Sequence, residues 1–347
     1  MKKIIFYFFV MMFISSCNSD DIDYGEPLIN EDYTLLYPDY FPDIANSSTQ
    51  NSLTKQGVEL GRKLFYDGRL SRNNTISCGF CHIQENAFTH HGHNVSHGID
   101  GRLGIRNTPP IQNLAFTKHF NWDGVLHDLS MQPLIPITTY EEMDSSMEDV
   151  VEKLKNDALY RKYFRVVFGD EEINGHRILL ALDQFMGSVI SANSKYDQYL
   201  QNKIALTAEE QKGLNLFQAK CSTCHSGALQ TDQSFRNTGL YYDPQYQDAG
   251  RFRVTLDSAD WMKFRVPSLR NIELTAPYMH DGRFYSLEAV LNHYSNGIRN
   301  TKNLDSVFLQ GSRPGIPMTT EEKTAIIAFL KTLTDFDFIN NPAYAEF

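Results

Sequence analysis

The feature that most constrains this chain is a five-residue pattern that occurs twice, first as Cys78-Gly-Phe-Cys81-His82 and again as Cys221-Ser-Thr-Cys224-His225. A C-x-x-C-H sequence is the attachment signature of a c-type haem. The two thiols are joined covalently to the haem, and the adjacent imidazole becomes the proximal ligand of the iron. Two intact patterns therefore predict two covalently bound haems.

Two other chemistries use pairs of cysteines. A thioredoxin-like redox site needs C-x-x-C, but it does not require a histidine directly after the second cysteine, twice. A structural zinc site could combine both pairs, yet the pairs of such sites usually lie about 15 to 20 residues apart. Most of the chain separates the two pairs here. Haem attachment is therefore favoured. The alternative is a binding protein held together by a structural zinc site, and such a protein would be colourless when purified.

The length of 347 residues exceeds one ordinary core, and one motif lies in each half of the chain. We therefore predict an all-α fold with two cytochrome c-like domains, an N-terminal domain over residues 52–203 and a C-terminal domain over 204–347. Each domain is expected to wrap one covalently bound c-type haem.

Helices are predicted from apolar residues at helical spacing. One covers residues 54–67, ahead of the first motif, and Thr207-Ala-Glu-Glu210 forms a capping box that opens a second helix ahead of the second motif. Further helices are predicted over 149–168, 176–190 and 319–333. The order of helix followed by haem motif is thus repeated in both halves.

Residues 1–17 have the pattern of a secretory signal, because two lysines precede an apolar run too short to span a bilayer as a stable helix. The run ends at Cys17, as in a bacterial lipobox. A plain signal with an incidental cysteine is the alternative, but it would leave a free thiol in an oxidising compartment. We expect a lipid on Cys17, a flexible tether over 18–51 and attachment to the outer membrane. Ser19-Asp20-Asp21 resembles the acidic signal of surface lipoproteins, so the protein faces either the periplasm or the exterior.

The charge balance is acidic. The chain has 32 basic and 42 acidic residues, and removal of Lys2 and Lys3 with the signal leaves 30 − 42, a net charge of −12. Such a surface argues against nucleic acid as a partner. It suits a small basic electron donor, although acidity also simply keeps a secreted protein soluble.

Between about Leu60 and Phe336 further motifs occur in a fixed order. LGRKLFYDGRLS precedes the first haem motif, IRNTP, NWDG and EEM follow it, and VPSLRN and TAPYMHDGRF follow the second. Together with the two haem sites, this order resembles the bacterial di-haem cytochrome c peroxidase and MauG superfamily. The resemblance implies a peroxidatic haem in the first domain, an electron-transfer haem in the second, and hydrogen peroxide as the substrate. It also implies a small donor protein, such as a cytochrome c or a cupredoxin.

The resemblance assigns roles to three residues of the first domain. Trp122 corresponds to the tryptophan between the haems, where an oxidisable ring can relay electrons. Gln132 and Glu142 lie ten and twenty residues further on, at the spacing of the two distal-pocket residues of the family. Glu142 is the predicted acid–base group. Without the resemblance, Trp122 would be a core residue and Glu142 part of a solvated pair with its neighbour, and Val125 replaces the arginine that the family has after Trp-Asp-Gly.

A histidine-rich loop follows the first motif, with His90, His91, His93 and His97. Such a cluster is usually solvated surface or an adventitious metal binder. The resemblance selects His97, because the peroxidases have a histidine at nearly this spacing that caps the first haem and leaves on activation. MauG-like proteins lack this ligand, so His97 favours the peroxidase branch.

Tyr294 is predicted to lie on the buried face of a helix that begins at Leu287. It follows His280 by fourteen residues, where the peroxidases have a methionine ligand to the second haem and MauG has a tyrosine. Tyrosinate stabilises oxidised iron, so Tyr294 favours the MauG branch. His293 and Met279 are the alternative ligands.

The resemblance also implies one calcium ion between the domains, bound by the Asn107 side chain and by backbone oxygens of Thr275 and Pro277. Oxygen ligands suit calcium.

For the function as a whole, the main prediction is a di-haem peroxidase. The alternatives are a MauG-like oxidase of a protein or organic substrate and a pure electron carrier, and a homodimer is kept as a hypothesis.

Overall fold

The structure is a computed structural model that describes residues 29–45 and 51–347. The predicted signal peptide, the lipidated Cys17 and the first part of the predicted tether lie outside the described residues. Within that part of the chain, the structure contains no helix that is both long and apolar enough to cross a membrane.

The described chain is mostly helical. The α-helices of the first half are α1 (Lys55–Phe65), α2 (Cys78–Cys81), α3 (Leu134–Thr138), α4 (Met147–Leu154), α5 (Ala158–Phe168), α6 (Gly175–Ser188) and α7 (Lys195–Leu200). Those of the second half are α8 (Ala208–Lys220), α9 (Phe252–Thr255), α10 (Leu287–Asn292), α11 (Thr320–Lys331) and α12 (Phe336–Ile339). Two short strands, β1 (Phe235–Arg236) and β2 (Phe264–Arg265), pair antiparallel. This strand pair is a small departure from the predicted all-α fold.

The helices ahead of the haem motifs begin as the sequence predicts. Thr54 accepts a hydrogen bond from the backbone of Gly57 at the start of α1. The capping box of Thr207 and Glu210 is present at the start of α8, with both reciprocal hydrogen bonds. Each cap satisfies backbone donors that the first turn leaves free, so both helices have defined starts.

Helix α1 crosses α6 in direct backbone contact at Gly61. A Cβ atom at Gly61 would lie 2.0 Å from the carbonyl oxygen of Ala181 and 2.7 Å from Cβ of Phe185. No side chain fits in that space, so only glycine allows this approach. The crossing carries the first haem motif, since the chain continues from α1 into α2.

The second half repeats this crossing. Helix α8 meets α11 at Gly213, where an added Cβ would lie 1.9 Å from the carbonyl oxygen of Ala325 and 2.9 Å from Cβ of Phe329. An alanine and a phenylalanine four residues apart form the partner surface in both halves. The repeat of helix and motif along the sequence is therefore also a repeat of packing.

Two main hydrophobic clusters surround these crossings. The first is built on α1, α4, α5 and α6, and the second on α8 and α11. The cluster membership differs from the predicted boundary at residue 204 in two places. Tyr196 and Tyr199 of α7 pack in the second cluster, whereas Phe338 and Tyr344, near the end of the chain, pack in the first.

The segment over residues 29–45, which composition predicts to be tether, packs against the body of the protein. Phe41 is 7% exposed, and its ring and that of Tyr37 contact Phe116 at centroid distances of 5.4 and 5.0 Å. The Tyr40 hydroxyl donates to Asp197 at 2.7 Å. Aromatic side chains anchor this segment because they find apolar partners that lie far away in the sequence.

The single helix predicted over 149–168 is two helices. Helix α4 ends at Leu154, and the Asp157 side chain accepts hydrogen bonds from the backbones of Leu159 and Tyr160 to start α5. An N-terminal cap inside a periodic apolar pattern restarts the helix in a new direction.

The Gly61 crossing generates a stability prediction. Gly61→Ala should lower the free energy of unfolding by about 1–3 kcal/mol, because the methyl group must push the two helices apart. The matched control is Gly187→Ala on α6, where the nearest atom to an added Cβ is Cδ2 of Leu129 at 3.8 Å. That change should be neutral or stabilising by up to about 1 kcal/mol. Equilibrium unfolding in guanidinium measures both, and equal effects would contradict the role of the crossing.

Candidate active site

The first proximal histidine is held in one tautomer. Nδ1 of His82 lies 2.8 Å from the carbonyl oxygen of Phe88. A carbonyl only accepts hydrogen bonds, so Nδ1 carries the proton and the lone pair of Nε2 is left for a metal. Burial lowers the pKa of His82 to about 4, which keeps the ring neutral. This is the state that an axial iron ligand requires.

The second motif has the same geometry. Nδ1 of His225 lies 3.0 Å from the carbonyl oxygen of Gln230, and burial lowers the pKa of the ring. Within the described residues, the four cysteines of the two motifs do not converge on one group of potential metal ligands. The zinc-stapled alternative is therefore not supported.

A large, mostly apolar cavity opens beside the second motif. Its lining includes Cys221, Cys224 and His225, with apolar side chains of α10 and α11. Arg265 also lines it. Its Nε donates to the carbonyl oxygen of Asn121 at 3.3 Å, and it makes no ion pair with any carboxylate of the described residues. Burial lowers the pKa of this guanidinium to about 10. Two thiols, a free imidazole nitrogen, apolar walls and an unpaired cation fit a haem, whose ring is apolar and whose propionates are anionic.

Tyr294 lines the same cavity. Its ring stacks on Phe308 with centroids 5.8 Å apart. Burial raises the pKa of the phenol, and the nearby Cys224 and Cys221 make smaller contributions in the same direction. The α-helix predicted to run through Tyr294 ends at Asn292, and a π-helical turn over His293–Gly297 carries the tyrosine.

The two alternative ligands differ in position. Nε2 of His293 lies 2.9 Å from the carbonyl oxygen of Thr238, and His293 is not among the residues that line the cavity. Met279 does line it. The geometry thus disfavours His293 and leaves Met279 as the alternative to Tyr294.

Trp122 lies between the second cavity and the loop that follows the first motif. Its indole nitrogen donates to the carbonyl oxygen of Asn107 at 2.8 Å, and both residues line the cavity. The Asn107 side chain in turn donates to the carbonyl oxygens of His93 and Asn94 at 3.3 and 3.2 Å. Trp122 therefore links the wall of the cavity to the loop after the first motif, and its role as an electron relay stays a prediction.

Asn107, Thr275 and Pro277, the three predicted calcium ligands, all line this cavity, and calcium binding there stays a prediction. The backbone nitrogen of Asn107 donates to the carbonyl oxygen of His280 at 2.7 Å, which ties the two segments to each other. Because the Asn107 amide nitrogen faces the His93 and Asn94 carbonyls, its amide oxygen points away from them.

Glu142 faces the first motif. The backbone nitrogen of Ile99 donates to its carbonyl oxygen at 2.7 Å, and a Cβ at Gly98 would lie 2.1 Å from that oxygen. Burial raises the pKa of both Cys78 and Cys81, and the nearby Glu142 carboxyl makes a smaller contribution in the same direction. Burial, with a smaller contribution from the Glu141 charge, raises the pKa of Glu142 to about 7. A carboxyl in this setting is not one of a solvated pair.

The positions of Gln132 and His97 relative to the first motif are supported by fewer contacts. Gln132 is half-buried just ahead of α3, and within the described part of the chain its side chain makes no hydrogen bond to Glu142. The carbonyl oxygen of His97 lies 3.5 Å from Sγ of Cys81, so the histidine is adjacent to the motif. Its ring lies among the rings of His90 and His93.

Sequence reasoning did not identify Arg265 as a site residue. It lies beside the VPSLRN motif, but only the pairing of β2 with β1 and the shape of the cavity place its side chain next to the second haem motif. No local pattern distinguishes an unpaired arginine from a surface one.

Comparisons with known proteins agree with this geometry. A family model for di-haem cytochrome c peroxidases matches residues 55–205. The methylamine utilization protein MauG of Methylorubrum extorquens is 36% identical over 304 residues, covering 84% of this chain and 82% of that protein. Cytochrome c551 peroxidase of Nitrosomonas europaea is 35% identical over 281 residues, covering 80% of this chain and 79% of that protein. The crystal structure of a MauG-like protein associated with microbial copper homeostasis matches with a TM-score of 0.81 and 36% identity, covering 90% of this chain and 99% of that one.

An alignment over 84% of this chain must include both haem motifs, because neither motif lies near an end. The similarity therefore extends over both haem motifs and over the cavity beside the second one. The chain belongs to the bacterial di-haem cytochrome c peroxidase and MauG superfamily, and the activity that these relationships support is that of a di-haem peroxidase.

Proposed function

We propose that this protein reduces hydrogen peroxide at the first haem motif, with electrons that a small donor protein delivers through the second. The observation that carries the proposal is the Glu142 carboxyl, which faces the first motif and has a pKa raised to about 7 by burial. An electron carrier would have no use for such a group, because proton transfer is needed only where a bond to oxygen is broken.

Each hydrophobic cluster would hold one haem. His82 would ligate the iron of the first and His225 that of the second, with thioether bonds to the adjacent cysteine pairs. Arg265 would neutralise a propionate of the second haem, which explains a cation without a carboxylate partner in an apolar cavity. When bound, the haems supply the iron centres that accept the oxidising equivalents of peroxide.

Glu142 would move the proton. Its carboxylate accepts a proton from one oxygen of peroxide and returns it to the other oxygen, which leaves as water. A group with a pKa near neutrality can both accept and release a proton at working pH, and such catalysis contributes about 10² to 10⁴ in rate. The Gln132 amide can orient peroxide by a hydrogen bond but cannot exchange a proton.

Several further features belong to the same proposal. Trp122 would relay electrons between the two sites, and calcium would bind at Asn107, Thr275 and Pro277, where oxygen atoms are available. His97 as an axial ligand of the first haem stays a prediction.

A cytochrome c or a cupredoxin would serve as donor, since the acidic surface suits a basic partner. Lipid attachment through Cys17 would place the protein in the cell envelope at the outer membrane, and a homodimer stays a hypothesis.

A second candidate function is peroxide-dependent oxidation of a protein or organic substrate, as a MauG-like enzyme. Tyr294 is the observation that favours it, because its hydroxyl is buried in the cavity beside the second motif. A tyrosinate ligand would stabilise oxidised iron there and let the second site store an oxidising equivalent. The two functions share the first site and differ in what the second one does.

The first test concerns cofactor content and activity. We expect two covalently bound haems per chain in a pyridine haemochrome assay, because each motif retains both cysteines and its histidine. The reduced protein should consume hydrogen peroxide in the presence of a reduced small electron donor. One haem, or none, would contradict the proposed arrangement.

The role of Glu142 is tested by Glu142→Gln, with Glu141→Gln as the matched control at the exposed neighbour. The first change should lower peroxide turnover by about 10² to 10⁴, since an amide cannot accept the proton. The control should retain activity, and both variants should keep two haems. Turnover at the wild-type rate in Glu142→Gln would show that another group moves the proton.

Tyr294 decides between the two functions. If its phenolate ligates the second iron, Tyr294→Met should raise the reduction potential of that haem, because a thioether favours ferrous iron. Spectroelectrochemistry measures this change. Tyr278→Phe is the control, since Tyr278 lines the same cavity but donates its hydroxyl to the carbonyl oxygen of Ile272. An unaltered spectrum and potential in Tyr294→Phe would point to Met279 as the ligand.

A further inference from the structure

Three histidines of the loop after the first motif converge. In His90, His93 and His97, one ring nitrogen from each residue lies within 4.8 Å of the others. The ring centroids are 4.2 Å apart for His90 and His93, 4.6 Å for His90 and His97, and 4.3 Å for His93 and His97. His91, next to His90 in sequence, is exposed and does not take part.

His90 supplies an independent indication of a ligand. The residue is only 5% exposed, and its Nδ1 atom is buried without a hydrogen-bond partner. A buried polar atom without a partner costs about 1–3 kcal/mol, so native proteins rarely leave one unexplained.

The backbone around the cluster is held in place. Bridges of Ile83 with Thr89 and of His97 with Leu103 fix the two ends of the loop. In the middle, the Asn107 side chain donates to the carbonyl oxygens of His93 and Asn94. Ligands that are positioned before binding lose less entropy when an ion arrives.

The rings need little movement to close around an ion. Metal–nitrogen bonds of about 2.0–2.1 Å in a tetrahedral site place the nitrogens about 3.3 Å apart, so a shift of about 1 Å suffices. His93 is exposed and His97 half-buried, which leaves a path to solvent and an open fourth position. The cluster contains no carboxylate, and imidazole ligands suit zinc, copper and nickel rather than calcium or magnesium.

We propose that His90, His93 and His97 form a site for a late first-row divalent metal ion, separate from the two haem irons, with a water molecule as its fourth ligand. This assignment and the predicted axial ligation of the first haem by His97 are mutually exclusive, because the His97 ring that joins this cluster is not available to the haem iron. The site holds one metal ion, and its three histidine ligands carry no charge. It does not depend on peroxidase activity, because none of its features uses Glu142 or Tyr294.

The ring packing around the cluster offers a plainer explanation. Phe80 contacts His90 and His97 at centroid distances of 5.8 and 5.4 Å, so the histidines could simply stack on an aromatic neighbour. Stacking alone, however, does not give the buried nitrogen of His90 a partner. A stacked cluster and a metal site predict opposite results in a titration.

The test uses the haem-loaded protein, freed of loosely bound metal by a chelator and titrated with Zn²⁺ against a chromophoric zinc indicator. Elemental analysis counts zinc and iron separately. We expect one tightly bound zinc per chain in addition to the haem irons. His93→Ala removes an exposed ligand without disturbing the core and should weaken zinc binding at least about 100-fold, more than the loss of an outer-shell partner usually costs. His91→Ala should bind zinc like the wild type.

Two results would overturn the site: no stoichiometric zinc in the wild-type protein, or equal zinc affinity in His93→Ala and wild type. An equal loss in His91→Ala and His93→Ala would also overturn it, because that pattern indicates diffuse surface binding. Peroxide turnover is measured in parallel on the same samples. A protein that turns over peroxide but binds no zinc refutes the metal site alone, whereas zinc binding without turnover refutes only the peroxidase proposal.

Discussion

The contact of helix backbones at Gly61 and Gly213 is the constraint on which the two haem motifs depend. The second motif directly follows α8, and the first follows α1 after residues 66–77, so each crossing helps to position the cysteines and the histidine that come after it. A larger residue would separate the helices and displace the motif with them. The same packing occurs in both halves, with an alanine and a phenylalanine opposite each glycine, so both haem motifs follow the same kind of helix crossing.

A buried ion pair joins the two halves. Asp197 is fully buried and accepts two hydrogen bonds from Arg270 at 2.7 and 2.8 Å, with a third from Tyr40. The Arg270 guanidinium also donates to the carbonyl oxygen of Ala228. Such a pair adds little net stability over an apolar one, but a carboxylate left without its partner would be costly. It therefore fixes the positions of residues 29–45, α7 and the loops of the second half relative to one another.

Local patterns predicted the features that depend on neighbours in sequence. Both haem motifs, the capping box at Thr207 and the helices ahead of the motifs could be derived this way, and the roles predicted for Glu142 and Trp122 came from resemblance. Periodicity missed the break at Asp157, because the apolar spacing continues across it. It also could not foresee the π-helical turn under Tyr294.

Other features arise only from long-range contacts. The packing of residues 29–45, the exposure of Arg265 to the haem cavity and the convergence of His90 with its two partners each bring together residues whose spacing carries no signal. A histidine-rich loop looks the same in sequence whether its rings point apart or towards one another. Only the bridges and the Asn107 hydrogen bonds show that they converge.

The path of the chain after α11 has a consequence for the order in which the two halves can complete their packing. Helix α11 covers the second cluster, yet the chain then returns, and Phe338 and Tyr344 enter the first. The Gln84 amide donates to the carbonyl oxygen of Phe338, and the Tyr66 hydroxyl donates to that of Tyr344. The cluster built by the first half of the chain is therefore completed by residues that follow the second half in the sequence. The hydrophobic cluster around the first motif cannot reach its final packing until Phe338 and Tyr344 have been synthesised.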